Sequence, residues 1–199
     1  MKYALFISLI LFNALFALGQ LSNGHQKFRK EKDNLSCLYK AKYSAAKRIQ
    51  CYPFNISDTV KLVSFRYHRN NYPIVKDRLL TDSLIEIQTL SKDGIDSLTD
   101  ILYSNFYKKQ PKKNSVHIGS MNTCFFPRNA IVFLDKLGHV KDYVLLCFHC
   151  NRYQLSSDKI SLGDRCSTKM EKLQSFFVTE GLHFGTDPAI QLYPGEEDE

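Results

Sequence analysis

Apolar and polar side chains partly alternate along Val60-Lys61-Leu62-Val63-Ser64-Phe65-Arg66-Tyr67, a run rich in residues that favour extended backbone. It predicts a strand over 60–67. The stretch from His68 to Pro73 reads as loop, and Ser83-Leu84-Ile85-Glu86-Ile87-Gln88 predicts a second strand. The period then changes. Ile95, Leu98, Ile101, Leu102 and Phe106 follow at intervals of 3, 3, 1 and 4, which puts them on one face of a helix over about 92–107. Ser91 is placed to cap it, and Gln110-Pro111 to end it. The clearest local signal is Ala130-Ile131-Val132-Phe133-Leu134, a buried-type strand, with Lys136-Leu137-Gly138-His139 as a turn and Val140 to Phe148 as the return strand. Asp164 is positioned to cap a last helix with Met170, Leu173, Phe176 and Phe177 on one face and Gly181 just past its end. Ahead of all these, Leu38, Tyr39, Ala41, Lys42, Ala45, Ala46 and Ile49 sit near helical spacing, so a short helix is expected within 36–50, stopped by Pro53.

The order is β β α β β α after a short N-terminal helix. Two hairpin-like pairs, each followed by a helix, predict an α+β fold: one mostly antiparallel sheet with helices packed on one face.

The chain ends change the picture of where the protein works. Lys2 is followed by a largely apolar run from Ala4 to Leu18, and Ala17-Leu18-Gly19 puts small residues at the −3 and −1 positions of a cut before Gln20. Residues 1–19 therefore read as a cleavable signal peptide. The alternative, an uncleaved anchor, wants about 20 apolar residues, and this run is shorter. An exported protein is expected, periplasmic or secreted, with no transmembrane segment after cleavage. Residues 20–35 are polar and read as a flexible lead-in, 36–190 as a single domain, and 191–199 as an acidic tail. The formal charge of +7 comes from scattered bases, apart from clusters at Lys27–Lys32 and Lys108–Lys113. No basic stripe interleaves with aromatics, so nucleic acid is not an expected partner.

The mature part holds six cysteines: Cys37, Cys51, Cys124, Cys147, Cys150 and Cys166. An even number in an exported protein points first to disulfides. If the turn centres near Leu137-Gly138, strand partners have numbers summing to about 275, which brings Cys124 next to Cys150 and sets Cys147 opposite Arg128. Cys166 then approaches the Cys147/Cys150 pair, and Cys37 with Cys51 remain as a local pair. The first-choice framework is Cys37–Cys51, Cys124–Cys150 and Cys147–Cys166. Two other readings compete for Cys147-Phe148-His149-Cys150. A zinc site would use the Cys-x₂-Cys spacing, with Cys124 and Cys166 or His149 completing four ligands, but a second knuckle is missing. A thiol–disulfide oxidoreductase would use Cys147 and Cys150, with His149 stabilising a thiolate; its weak point is a poor helix start after Cys150.

Cys124-x-x-Pro127-Arg128-Asn129-Ala130-Ile131-x-Phe133, followed by Cys147-Phe148-x-Cys150, resembles an uncharacterised group of exported bacterial proteins with a Cys-x-x-Pro-Arg/His block and a closing Cys-Phe-x-Cys strand. The resemblance covers about thirty residues. It implies a cell-envelope or secreted location and a shared cysteine layout, and no activity. Where that group often carries His-Gly or His-Ala after the basic position, this chain has Asn129-Ala130, so no catalytic histidine is implied there.

Arg128 could clamp an anion, but Arg in such a place more often pairs with a carboxylate or faces water. His117, His139 and His183 lie far apart and lack the i, i+4 spacing of a helical metal site. Asp93, Asp96 and Asp100 read as a solvated helix side, and no nucleophile elbow or phosphate-cradling loop is present. The sequence thus points to an exported binding or interaction module of unknown partner, with structural cysteines and no cofactor. The oxidoreductase and the structural zinc protein stand as alternatives.

Overall fold

A run of six apolar or small residues with little polar interruption, as in 129–134, is stable as a strand only when both of its faces are covered, and the whole domain is arranged to cover it. The structure is a computed structural model that describes residues 34–68, 72–110 and 124–186. In chain order the elements are β1 (Cys37–Tyr39), the single-turn helix α1 (Ala45–Arg48), β2 (Thr59–Phe65), the short ribbon β3 (Ile74–Val75) and β4 (Arg78–Leu79), and β5 (Leu84–Thr89). Then follow α2 (Lys92–Tyr103), β6 (Asn105–Tyr107), β7 (Asn129–Leu134), β8 (Val140–Cys147), β9 (Arg152–Leu155) and α3 (Lys169–Thr179). Five strands form one sheet in the order β5-β2-β7-β8-β9, with every neighbour antiparallel. The chain is thus α+β.

All six residues of β7 are buried. On one face Leu62, Ile131, Phe133, Val144 and Leu146 pack with Leu98 and Leu102 of α2 and Leu173, Phe176 and Phe177 of α3. Burying each such side chain contributes about 1.5–3 kcal/mol. On the other face Val63, Phe65, Ala130, Val132 and Leu145 are covered by Ile74 and Leu79 of the ribbon, with Tyr72, Leu84, Phe125 and Tyr143. Both helices therefore lie on one face, as the sequence predicts, and a ribbon with aromatic loops covers the other.

The hairpin register also agrees with the sequence. Asn129 pairs with Leu146, Ile131 with Val144 and Phe133 with Asp142, each summing to 275, before a bulge shifts Leu134 onto Val140. The turn is held by Asp135, whose Oδ1 accepts from the backbone N–H groups of Leu137 (3.0 Å) and His139 (2.9 Å). The His139 amide is the main cause holding the Asp135 carboxyl below its ordinary value. Gly138 takes φ +80°, where a side chain would be strained. Ser91 caps α2 by accepting from the Gly94 amide at 3.1 Å. The α3 end follows the pattern foreseen at Gly181, with φ +89°, Gly181 N–H donating to the Val178 carbonyl and Leu182 N–H to that of Phe177.

Four expectations are corrected. The helix expected within 36–50 is a helix only over Ala45–Arg48, because Cys37–Tyr39 pair with Asn105–Tyr107 in a separate two-stranded sheet. The helix expected over about 92–107 ends at Tyr103 for the same reason: Phe106 belongs to β6, opposite Leu38. Asp164 does not cap α3, which starts at Lys169; it accepts from Tyr107 N–H and Gln110 Nε2 instead. The end of the lead-in is not loose, since the carbonyls of Asn34 and Leu35 accept from the amides of Lys109 and Ser167. Residues 1–33 and 187–199, where the sequence places a signal peptide and an acidic tail, lie outside the described residues. Among the described residues no helix is long and apolar enough to cross a membrane.

Asp96 and Asp100 are also more than a solvated side. They ion-pair with Arg48, which is only 7% exposed and also donates to Thr99 Oγ1 (3.3 Å) and the Tyr43 carbonyl (2.9 Å). The guanidinium fork fastens a four-residue helix that has too few turns to be stable alone. Arg48→Ala is expected to lower unfolding stability by about 1.5–3 kcal/mol in urea titrations, since both carboxylates can return to water but the fork is lost. Arg48→Lys should recover little of it. An unchanged midpoint in Arg48→Ala would show that α1 is held by other contacts.

Candidate functional site

The chemistry the sequence singled out gathers at the far end of the β7–β8 hairpin. A strand that exits a buried sheet carries its last side chains inside, so Cys147 at the end of β8 is 2% exposed and Cys150, after the turn, 3% exposed. Cys150 is bonded to Cys124 with Cα atoms 5.9 Å apart, the pair the register predicts. Cys37 is bonded to Cys166, Cα atoms 4.9 Å apart, across 129 residues. Cys51 and Cys147 are free thiols.

Two expected pairs are thereby corrected. Cys37 does not meet Cys51, because β1 runs as a strand toward the loop ahead of α3, where the Leu35 carbonyl accepts from Ser167 N–H and Cys37 reaches Cys166. Cys147 does not meet Cys166, because Cys166 is already taken. The candidate zinc ligands Cys124, Cys147, Cys150 and Cys166 do not form a set of four free thiolates: Cys124 and Cys150 are bonded to each other beside Cys147, and Cys166 is bonded to Cys37. Among the described residues no group of three or more His, Cys, Asp or Glu side chains could hold a metal ion. His149 is exposed, while the thiol of Cys147 points inward.

Cys147 sits in a definite electrostatic setting. Its Sγ accepts from the Cys150 amide at 3.3 Å. Burial pushes the thiol up from its ordinary value, opposed by the amides of Phe126 and Cys150 and by the charges of Arg128 and Arg152. Arg152 also donates to the Cys124 carbonyl at 3.3 Å and lies over the Phe125 ring. Arg128 is 7% exposed rather than spread over the surface. Gly185 allows this: with φ +72°, a Cβ there would lie 2.6 Å from Arg128 Cβ.

The segment that carries Gly185 is fixed by a carboxylate. Glu86 accepts from the amides of His183 (3.0 Å) and Phe184 (3.0 Å) and from Ser64 Oγ at 2.6 Å. Asn129 Nδ2 donates to the Phe184 carbonyl at 2.9 Å. Burial works to raise the Glu86 pKa, but these hydrogen bonds, led by Ser64, together hold it below the usual value.

Three further features were not legible in the sequence. A groove of about 670 Å³ opens between α1, the turn at Phe54–Ile56, the start of β2 and the first turns of α2. Ala45, Ala46, Ile49, Phe54, Val60, Leu90 and Ile95 form its walls, with Ser57, Asp58, Lys92 and Asp96 at its polar positions. Lys169 is 5% exposed, donates to the carbonyls of Leu102 (2.7 Å) and Leu162 (2.9 Å), and is pushed down to about 8 by desolvation. Asp142, 5% exposed, accepts from Tyr52 Oη and from Ser156 Oγ at 2.8 Å, and its hydrogen bond raises the Tyr52 pKa. Both Lys169 and Asp142 have their partners inside the fold and serve to hold loops. His139 and His183 are exposed, and His117 lies outside the described residues.

Comparison of the chain with protein-family models, with curated proteins and with solved structures gave no match.

The Glu86 contacts set a pH dependence. A carboxyl whose folded pKa is depressed stabilises above its unfolded value, about 4.3, and that contribution is lost as pH falls through the folded value. Amide exchange protection at His183 and Phe184 should therefore fall as pH drops below the ordinary carboxylate range. In Glu86→Ala it should be low at every pH. Protection in that variant equal to wild type would show that Gly185 and Asn129 hold the segment without the carboxylate.

Proposed function

We propose that this chain is an exported, disulfide-stapled binding module that takes a small, neutral, apolar molecule in the groove between α1 and α2. The observation that carries the reading is the groove itself. Its volume lies in the range of small-molecule sites, and its walls are apolar with a few polar groups at the edge, the usual balance of such sites. One polar edge residue, Asp96, already has Arg48 as its partner, so a charged ligand has less to gain there than an apolar one. The apolar run near the N-terminus and the two disulfides support a periplasmic or secreted location.

A turnover enzyme on external disulfides has less support. Cys147 is enclosed, His149 faces solvent, and the residues after Cys150 enter β9 rather than a helix whose dipole would favour a thiolate. A structural zinc role lacks an assembled set of thiolates.

Nile red serves as a neutral apolar probe. Its fluorescence should rise and saturate at one dye per chain, and Ala46→Trp, which fills the groove from an exposed helix position, should weaken that binding by at least about tenfold, a cost of roughly 1.4 kcal/mol. Far-ultraviolet circular dichroism should be unchanged. Equal dye binding in Ala46→Trp would overturn the assignment to this groove.

A further inference from the structure

We propose that Cys124, Cys147 and Cys150 form an internal thiol–disulfide exchange site that delivers a reactive thiol to Cys124 and couples it to low-molecular-weight disulfides. This goes beyond the binding role and does not depend on it.

The three cysteines converge. Cys124 and Cys150 are bonded, and the free thiol of Cys147 is turned onto the turn that holds Cys150, accepting its amide at 3.3 Å. The Cys-x-x-Cys segment folds back on itself here: Asn151 N–H donates to the Phe148 carbonyl at 3.1 Å, and Asn151 takes φ +51°. The 3.3 Å contact from the Cys150 amide already sets the Cys147 sulfur against the backbone of the residue whose sulfur it would attack. The cations of Arg128 and Arg152 and the Phe126 amide favour a thiolate at Cys147, while burial keeps the resting group a thiol. Cys51, the other free thiol, lies elsewhere, beside Tyr52 and Phe54 on the helix-covered face.

Exchange follows the ordinary rule that a thiolate attacks a disulfide sulfur. Cys147 loses its proton and its Sγ attacks Cys150 Sγ. A Cys147–Cys150 bond forms, the Cys124–Cys150 bond breaks, and the electron pair leaves on Cys124 Sγ, which takes up a proton. No net oxidation occurs. The free thiol has moved from a buried position to Cys124, which is half-buried. Once Cys124 gives up that proton, its thiolate can attack an external disulfide RS–SR, forming a Cys124 Sγ–SR bond and releasing RS⁻. A buried cysteine with a purely packing role does neither.

The test uses the intact mature protein and oxidised glutathione at mildly alkaline pH, with acid quench, alkylation and peptide mapping. The expected product carries glutathione on Cys124 together with a Cys147–Cys150 bond. Cys147→Ser should lose the Cys124 adduct and keep Cys124–Cys150. Cys51→Ser should form the adduct as wild type does. Absence of a Cys147–Cys150 bond in the treated wild-type protein overturns the proposal, and this reading needs no variant to fold. A glutathione adduct on Cys147 itself, or an undiminished Cys124 adduct in Cys147→Ser, overturns it equally.

Discussion

The register of the β7–β8 hairpin is the constraint on which the rest of this structure depends. Side chains alternate faces along a strand, so a slip of one residue would turn Ile131 and Phe133 away from the helices and send Ala130 and Val132 toward them. Both faces of the sheet are covered here, by different materials: two helices on one side, and a ribbon with aromatic loops on the other. The slip would therefore unmatch both cores together. Asp135 and Gly138 pin the register at the turn, and the Cys124–Cys150 bond pins the open end of the same hairpin.

Around that hairpin the chain closes through a few long-range ties rather than through long regular elements. The Cys37–Cys166 bond joins the first described strand to the loop ahead of α3, and closing a loop of 129 residues removes denatured-state freedom worth about 3–5 kcal/mol. Arg48 fastens α1 to α2, and Glu86 fastens the 183–186 segment to the edge of the sheet. Each tie is a charged or covalent link between segments that could not stay folded by themselves. The groove and the cysteine cluster are both by-products of this plan. The groove exists because a one-turn helix is propped on α2 instead of packed flush. The cluster exists because the segment that enters β7 is tied to the turn that follows β8 by the Cys124–Cys150 bond and by Arg152 on the Cys124 carbonyl.

Much of the architecture was readable in the sequence, and the parts that were not share a cause. Strong local periods gave β2, β5, α2, β7, β8 and α3, and the turn at Gly138 gave the register and with it the Cys124–Cys150 pair. Short elements that exist only through pairing left no such trace. Leu38 and Tyr39 fit a helical spacing yet lie in β1, and Phe106 continues the helical face of α2 yet lies in β6; each is a strand because the other is there. The ribbon of Ile74–Val75 and Arg78–Leu79 and the four residues of β9 are too short to show a period. Misplacing β1 also misplaced Cys37, and through it the pairing assigned to Cys51, Cys147 and Cys166. The groove could not be read because Ala45, Ile49 and Ile95 look the same whether they meet a neighbour or line a space.

The most direct test is a disulfide map of the natively folded protein, unfolded at acidic pH in the presence of a thiol-alkylating reagent and then digested without added thiol. Two bonded peptides are expected, Cys37 with Cys166 and Cys124 with Cys150, with Cys51 and Cys147 alkylated. A Cys37–Cys51 peptide, or any bond that uses Cys51, would contradict the placement of β1 and the closure of the fold built on it.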